Sequence, residues 1–512
     1  MPPLRLLLSC LALSLGGGAT TAQALSLPVH LGLPLPAHPS AAPECGEPAD
    51  VLDLAVWRVY AADGRPDLSC GNAFVDYQRT PRTALNPVNA FDQIAGQIRA
   101  AHTEVLLTNM EWHAGPGRAG WTFAQAVSDL YRKVRADPAA YPQGMSVHLA
   151  LGGFPDLSRG DGGTFILEAV RDLRALGVPI SDPAVGWTFT ATNYRYFPHS
   201  HVKMVVIDGL DVTAAGFNYT DWHLTRAEPG GHDLHDVGLR MRGPVAQDGV
   251  AVFDDLWRHS NQVRCPVNVP ADQVFRLCTL GLPDPVTHPA AAQQAQPAGT
   301  SRAYLLYRRP GYDMADQAMQ SLIASARTEI DLMQADFSPD LNCWMAYVSV
   351  ENCERPTFPP YLAALLDAVE RGVKVRVLTV NYGYGKIANR SGIALMRYEA
   401  RRRGLSDDAF DARYVKFDMH TKAMTVDRRT VEVGSMNFHF SSWGGAGLNE
   451  AVIATNDPEA VRQEQADFGR VWAQESIPVP PEPWLKYVRK VAPEDLWPPA
   501  PAPRQLPDHP WR

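Results

Sequence analysis

The segment His201-Val-Lys203-Met-Val-Val-Ile-Asp208 recurs as His420-Thr-Lys422-Ala-Met-Thr-Val-Asp427, and both copies read H-x-K-x4-D. Each copy is followed at the same distance by small residues ending in asparagine. These are Ala215-Gly216-Phe217-Asn218 in the first copy and Gly434-Ser435-Met436-Asn437 in the second. The apolar stretches upstream repeat as well, Glu104 to Trp112 (EVLLTNMEW) matching Glu329 to Phe337 (EIDLMQADF). The offset is about 220 residues, too long for a solenoid repeat, so a whole domain is duplicated.

Each unit alternates strands with helices, which predicts α/β layering. In the first unit, Val51 to Tyr60 reads as a strand or a short helix. Asn86-Pro87 reads as a helix cap and first turn. Strands are expected at Glu104–Trp112, Met145–Leu151 and His201–Ile207, and helices at Phe123–Val134 and Thr164–Leu176, the latter closed by Gly177. The second unit repeats the order: a helix over Asp316–Ala326, a strand over Glu329–Phe337, a helix over Tyr361–Arg371 closed by Gly372, and a strand over Val373–Val380. The expected division is residues 1–24 as signal peptide, 25–84 as an irregular lead-in, 85–280 as the first domain, 281–302 as a Pro/Ala/Gln-rich linker, 303–476 as the second domain, and 477–512 as a Pro/Trp-rich tail.

Residues i and i+2 of a strand share a face, so His201 lies beside Lys203 and His420 beside Lys422. If the copies face each other, two imidazoles, two ammonium groups and the amides of Asn218 and Asn437 surround one point. That set suits a tetrahedral phosphoryl anion. Lysines and amides hold the non-bridging oxygens, while one histidine attacks phosphorus and the other protonates the leaving oxygen. Asp208 and Asp427 fall on the opposite parity from their histidines and read as scaffold. His102, His148, His259 and His288 read as structural. Trp112, His113, Tyr194, Tyr196, Phe438 and Trp443 either line an acyl or head-group channel or pack the core.

The paired H-x-K-x4-D motifs with the downstream G-S-x-N resemble the phospholipase D superfamily over about residues 85–475. The resemblance implies two α/β sandwich domains packed around a pseudo-twofold axis, with one active site at their interface and no obligatory metal or cofactor. It implies a phosphohistidine, by family habit on His201, with His420 as general acid and then base; the residues themselves do not choose between the two. It further implies an acidic residue orienting each histidine, matched here by Asp236 (with Asp233 as an alternative) and Glu450, because Val-Gly-Leu follows Asp236 as Ala-Val-Ile follows Glu450. Asn218, Ser435 and Asn437 fall at the phosphate-binding positions. The first copy has Gly216 where the second has Ser435, which implies an asymmetric phosphate pocket.

Composition narrows the setting. The chain has 512 residues, 46% hydrophobic and 20% charged, with a net charge of −8, so it lacks the basic footprint of a general nucleic-acid binder. Arg5 precedes the apolar run Leu6 to Leu15, and Ala22-Gln23-Ala24 has the form of a cleavage site. This predicts export, to the medium or a periplasm. Six cysteines remain after the signal, and sequence proximity pairs Cys45 with Cys70, Cys265 with Cys278 and Cys343 with Cys353. The expected function is hydrolysis, or transfer to an alcohol, of a glycerophospholipid by a monomer that touches a membrane surface transiently. Two other readings stay open: a secreted nuclease or other phosphodiesterase on the same frame, and a catalytically inactive surface-binding protein.

Overall fold

The computed structural model describes residues 35, 45–153, 163–196, 199–339, 359–382, 385–444 and 447–482. The signal segment, the Cys343–Cys353 pair and the tail tryptophans Trp484, Trp497 and Trp511 lie outside the described residues.

The first half carries β1 (Ala73–Thr80), β2 (Glu104–Asn109), β3 (Met145–Leu151), β4 (Ser181–Asp182), β5 (Trp187–Tyr194), β6 (Met204–Ile207), β7 (Asp211–Ala215), β8 (Asp236–Arg242), β9 (Ser260–Arg264) and β10 (Thr279–Gly281). They form one sheet in the order β1-β8-β7-β6-β2-β3-β5-β9-β10, with β4 beside β5. The second half carries β11 (Ala303–Arg308), β12 (Glu329–Gln334), β13 (Lys374–Thr379), β14 (Phe410–Val415), β15 (Lys422–Val426), β16 (Thr430–Gly434), β17 (Glu450–Thr455) and β18 (Ser476–Pro478). Its order is β11-β17-β16-β15-β12-β13-β14-β18. The first eight positions of the first order correspond one to one with the second, so the duplication extends to sheet topology. In each half three neighbouring central strands are parallel, β2-β3-β5 and β12-β13-β14. β2 is buried along its whole length, as a strand covered on both faces must be.

Helices cover the sheets. α1 (Val51–Ala62) is capped by the Asp50 carboxylate and packs on the second half, with Tyr60 and Tyr304 edge to face at 5.3 Å. α2 (Ala90–Ala100) and α3 (Ala119–Ala136) lie against the first sheet. α4 (Thr164–Ala175) ends before Gly177, whose φ of +79° supplies the expected left-handed turn. α5 (Val245–Arg258) is buried along nearly its whole length on the other side of that sheet. In the second half α6 (Met314–Ser325), α7 (Pro360–Glu370), α8 (Gly385–Arg402) and α9 (Pro458–Gln474) follow. Among the described residues no helix is long and apolar enough to cross a membrane.

Three expectations change. The lead-in is structured from Cys45 onward, and its strand β1 pairs with β8, so the first sheet begins at Ala73. The cap of α2 is Asn89, whose side chain accepts from the Phe91 amide. Asn86 instead donates to the carbonyls of Arg79 and Pro81. The linker is anchored: the His288 ring bridges the carboxylates of Glu104 (2.9 Å) and Asp254 (2.9 Å). Two disulfides, Cys45–Cys70 and Cys265–Cys278, close the loops that proximity assigned them.

Candidate functional site

The strands carrying the paired motif start later than periodicity predicts. β6 begins at Met204, and the residues before it pair with the other half instead. Ser200 bridges Asn449, and the His201 amide donates to the Asn449 carbonyl at 3.0 Å. The second copy mirrors this: Met419 bridges His235, and the His420 amide donates to the His235 carbonyl at 2.7 Å. Backbone pairing between the halves therefore reaches each motif histidine directly.

The side chains cross in the same way. His201 Nδ1 lies 2.8 Å from Glu450 Oε2, and His420 Nδ1 lies 2.8 Å from Asp236 Oδ2. Asp236 and Glu450 open β8 and β17. Asp233, the alternative to Asp236, instead accepts from the Arg226 amide. When Glu450 and Asp236 are ionised they can only accept, so each Nδ1 then carries the hydrogen and each Nε2 keeps its lone pair.

Lys203 and Lys422 are buried, and each ammonium donates to the carbonyl of its own motif histidine. Lys422 Nζ also lies 2.9 Å from His420 Nδ1. Burial, then Lys203 and Lys422, holds the His201 pKa well below its ordinary value. Burial, then Lys422 and Lys203, does the same to His420. Burial lowers Lys203 to about 7 and moves Lys422 down as well. Each lysine thus acts on both histidines, which places the two motifs in one site. An anion among these groups offsets their mutual repulsion, so the cluster favours a phosphoryl group.

Asn218 and Asn437 are buried beside the cluster, and the Oδ1 of each has no hydrogen-bond partner among the described residues. Ser435 departs from expectation. Its hydroxyl donates to Glu450 Oε2 at 2.6 Å and is fully buried, so it serves the histidine-orienting acid and not the phosphate pocket. Gly216 holds the equivalent place in the first half, where a Cβ would stand 2.2 Å from Asp236 Oδ1. The shorter acid sits closer to the backbone and leaves no room for a serine. Asp208 and Asp427 are remote from the cluster. Asp208 accepts from the amides of His102, Thr103 and Glu104, and Asp427 from those of Arg327, Thr328 and Glu329. Trp112, Tyr194, Phe438 and Trp443 pack the interior. Trp112 Nε1 donates to Asp172 at 3.0 Å, and Tyr194 donates to Asn449 at 3.0 Å.

Two residues escaped the sequence reading. Ser442 donates to the second oxygen of Glu450 at 2.6 Å. At the equivalent place in the first half stands His223, whose ring lies 5.9 Å from that of His420. The signal available was the repeat itself, because His223 and Ser442 stand equally far behind His201 and His420. Ligand atoms of His223, Asp236 and His420 lie within 4.8 Å of one another and form the one such metal-capable group among the described residues. The Lys422 ammonium against His420 Nδ1 opposes a cation there.

Residues 319–472 match the family model described as cardiolipin synthase, PLD-like domain. Over that segment the chain is similar to phospholipase D-like domains. Phosphatidylserine synthase of Haemophilus influenzae Rd KW20 shares the fold, with a TM-score of 0.52 at 12% identity over 83% of this chain and 92% of that one. The phospholipase D family member Nuc from Salmonella typhimurium is similar over 35% of this chain and 98% of its own, at 23% identity and a TM-score of 0.26. No curated protein sequence matches the chain significantly.

Proposed function

We propose that this chain is an exported phospholipase D-type phosphodiesterase acting on glycerophospholipids through a phosphohistidine. The observation that carries this reading is the crossed pair, His201 with Glu450 and His420 with Asp236, which sets two Nε2 lone pairs among Lys203, Lys422, Asn218 and Asn437. His201 Nε2 attacks phosphorus, and the bond from phosphorus to the head-group oxygen breaks. The bound phosphate offsets the charge of Lys422 and Lys203, so His420 takes up a proton from solvent at Nε2 and gives it to that oxygen. Water or an alcohol then attacks the phosphohistidine and gives its proton to His420, releasing phosphatidic acid or a new phosphodiester. The lysines and amides hold the non-bridging oxygens throughout. The two disulfides and the amino-terminal apolar run support export.

The test uses purified protein with phosphatidylcholine vesicles containing ethanol and, separately, single-stranded DNA. Phosphatidylethanol formed by the natural sequence, and abolished by His201→Ala and by His420→Ala, is the expected result. DNA cleavage with untouched lipid moves the substrate to nucleic acid. Activity that survives both substitutions removes the catalytic reading.

A further inference from the structure

Strand register brings a third histidine to the cluster. β12 pairs with β15 as far as Gln334 opposite Lys422, and the Ala335 amide still donates to the Thr421 carbonyl at 2.9 Å. The next opposed pair is Asp336 with His420, and opposed residues of an antiparallel pair share a face. Phe337 then bridges Phe438 in parallel. Both rings are fully buried and stacked, so they mark the core side of this pair. The backbone of His439 is extended, at φ −142° and ψ 146°. Side chains alternate along an extended chain. Asn437 and His439 therefore flank Phe438 on the side of Asp336 and His420.

The tautomer of His439 is fixed by its own turn. Its Nδ1 accepts from the Ser441 amide at 3.2 Å and lies 2.8 Å from the Ser441 hydroxyl. An amide can only donate, so the neutral ring carries its hydrogen on Nε2. Burial holds the His439 pKa below its ordinary value, against the pull of Asp336 and Glu450, so the ring is neutral at neutral pH. The ring is partly exposed, and Nε2 has no hydrogen-bond partner among the described residues. His439 also acts on His201, which sets the ring within reach of both motif histidines. The equivalent residue of the first half is Thr220, fully buried, so the imidazole is supplied once.

Lys203 and Lys422 already hold both motif histidines down. A third cation would lower them further. A neutral N–H of fixed direction adds a hydrogen bond to an anion without that cost.

We infer that His439 is a further catalytic residue, whose Nε2–H donates to a non-bridging oxygen of the phosphoryl group. The inference rests on the proposed phosphodiesterase activity and adds a residue to that same site.

The experiment measures the Kd of orthovanadate, a tetrahedral oxyanion that stands in for the phosphoryl group. Calorimetry compares wild-type protein with His439→Asn and His439→Leu. Asparagine keeps the cap, because its side-chain oxygen accepts from the Ser441 amide, but it removes the imidazole N–H. The expected result is binding about tenfold or more weaker in both variants, with a matching fall in kcat/KM on phosphatidylcholine vesicles. Wild-type affinity in His439→Asn overturns the inference, because it leaves His439 only the role of a cap. Wild-type affinity in His439→Leu overturns it as well. In either case phosphatidylethanol formed by wild-type protein leaves the phosphodiesterase reading standing. Wild-type protein that does not bind orthovanadate also overturns the inference, and the phosphodiesterase reading falls with it only if lipid is left intact.

Discussion

His201 Nδ1 lies 2.8 Å from the carboxylate of Glu450, which follows it by 249 residues. The reciprocal bond, His420 to Asp236, is equally short. Each half therefore supplies the imidazole of one pair and the acid of the other, and neither half pairs its own motif histidine with its own orienting acid.

This crossing predicts different failures for two isosteric changes. Glu450→Gln leaves His201 in place but removes the charge that fixes its tautomer, and formation of the phosphohistidine slows by about 10²- to 10⁴-fold. Asp236→Asn acts on His420 and therefore on proton transfer. With a nitrophenyl ester, whose leaving group needs no proton, the phosphohistidine still forms and then persists. Intact-mass measurement after rapid mixing separates the two. A phosphoenzyme that accumulates in Glu450→Gln and not in Asp236→Asn reverses the roles assigned to the histidines.

Ser435 gives a pH prediction. Burial raises the Glu450 pKa to about 7, against the pull of Lys203, Ser435 and Ser442. Ser435→Ala removes one lowering partner, so the pKa rises further and a smaller fraction is ionised at neutral pH. The acid limb of kcat/KM moves to higher pH. Activity on its acidic side falls about tenfold for every pH unit that the limb moves, and recovers in mild alkali. A loss that is uniform across pH places the hydroxyl on the substrate instead.

Asp208 and Asp427 lie in the left-handed region, at φ of +55° and +51°, and each carboxylate gathers three successive amides at the start of β2 or β12. Replacing either by alanine strains the turn and orphans those donors. The expected cost is about 2–4 kcal/mol of stability, read by denaturant unfolding, with little change in kcat for the folded fraction. A large fall in kcat at unchanged stability contradicts the scaffold role.

His288 ties the linker to the first sheet. Its two carboxylate partners raise its pKa to about 10 despite burial. A folded pKa above the unfolded value of 6.5 means that its contribution is complete below pH 6.5 and is lost as pH climbs through about 10. Thermal stability should decline across that window. His288→Phe flattens the decline and costs about 3–5 kcal/mol at neutral pH, because Glu104 and Asp254 lose their shared cation. Calorimetry at several pH values checks both effects.

Much of the candidate site was readable from residue order. The motif histidines, lysines and asparagines recur at one offset of 219 residues, and the acids before Val-Gly-Leu and Ala-Val-Ile recur at 214. Ser435 is misread from sequence because its position lies in the motif while its direction depends on the length of the acid it faces. Asp336 looks like one residue of an apolar strand, since its place opposite His420 follows from register and not from its neighbours in the chain. The shortened motif strands have a similar cause: at His201 and His420 the backbone amide bonds to the other half, a partner no local periodicity can reveal.

The sequence by itself determined the duplicated α/β units and the side chains that each contributes, because strand alternation, helix caps and motif spacing are short-range properties of the chain. Only the tertiary structure decided that Glu450 serves His201 and Asp236 serves His420. Those bonds span 249 and 184 residues and exist only when the two halves pack together, Ser200 on Asn449 and Met419 on His235.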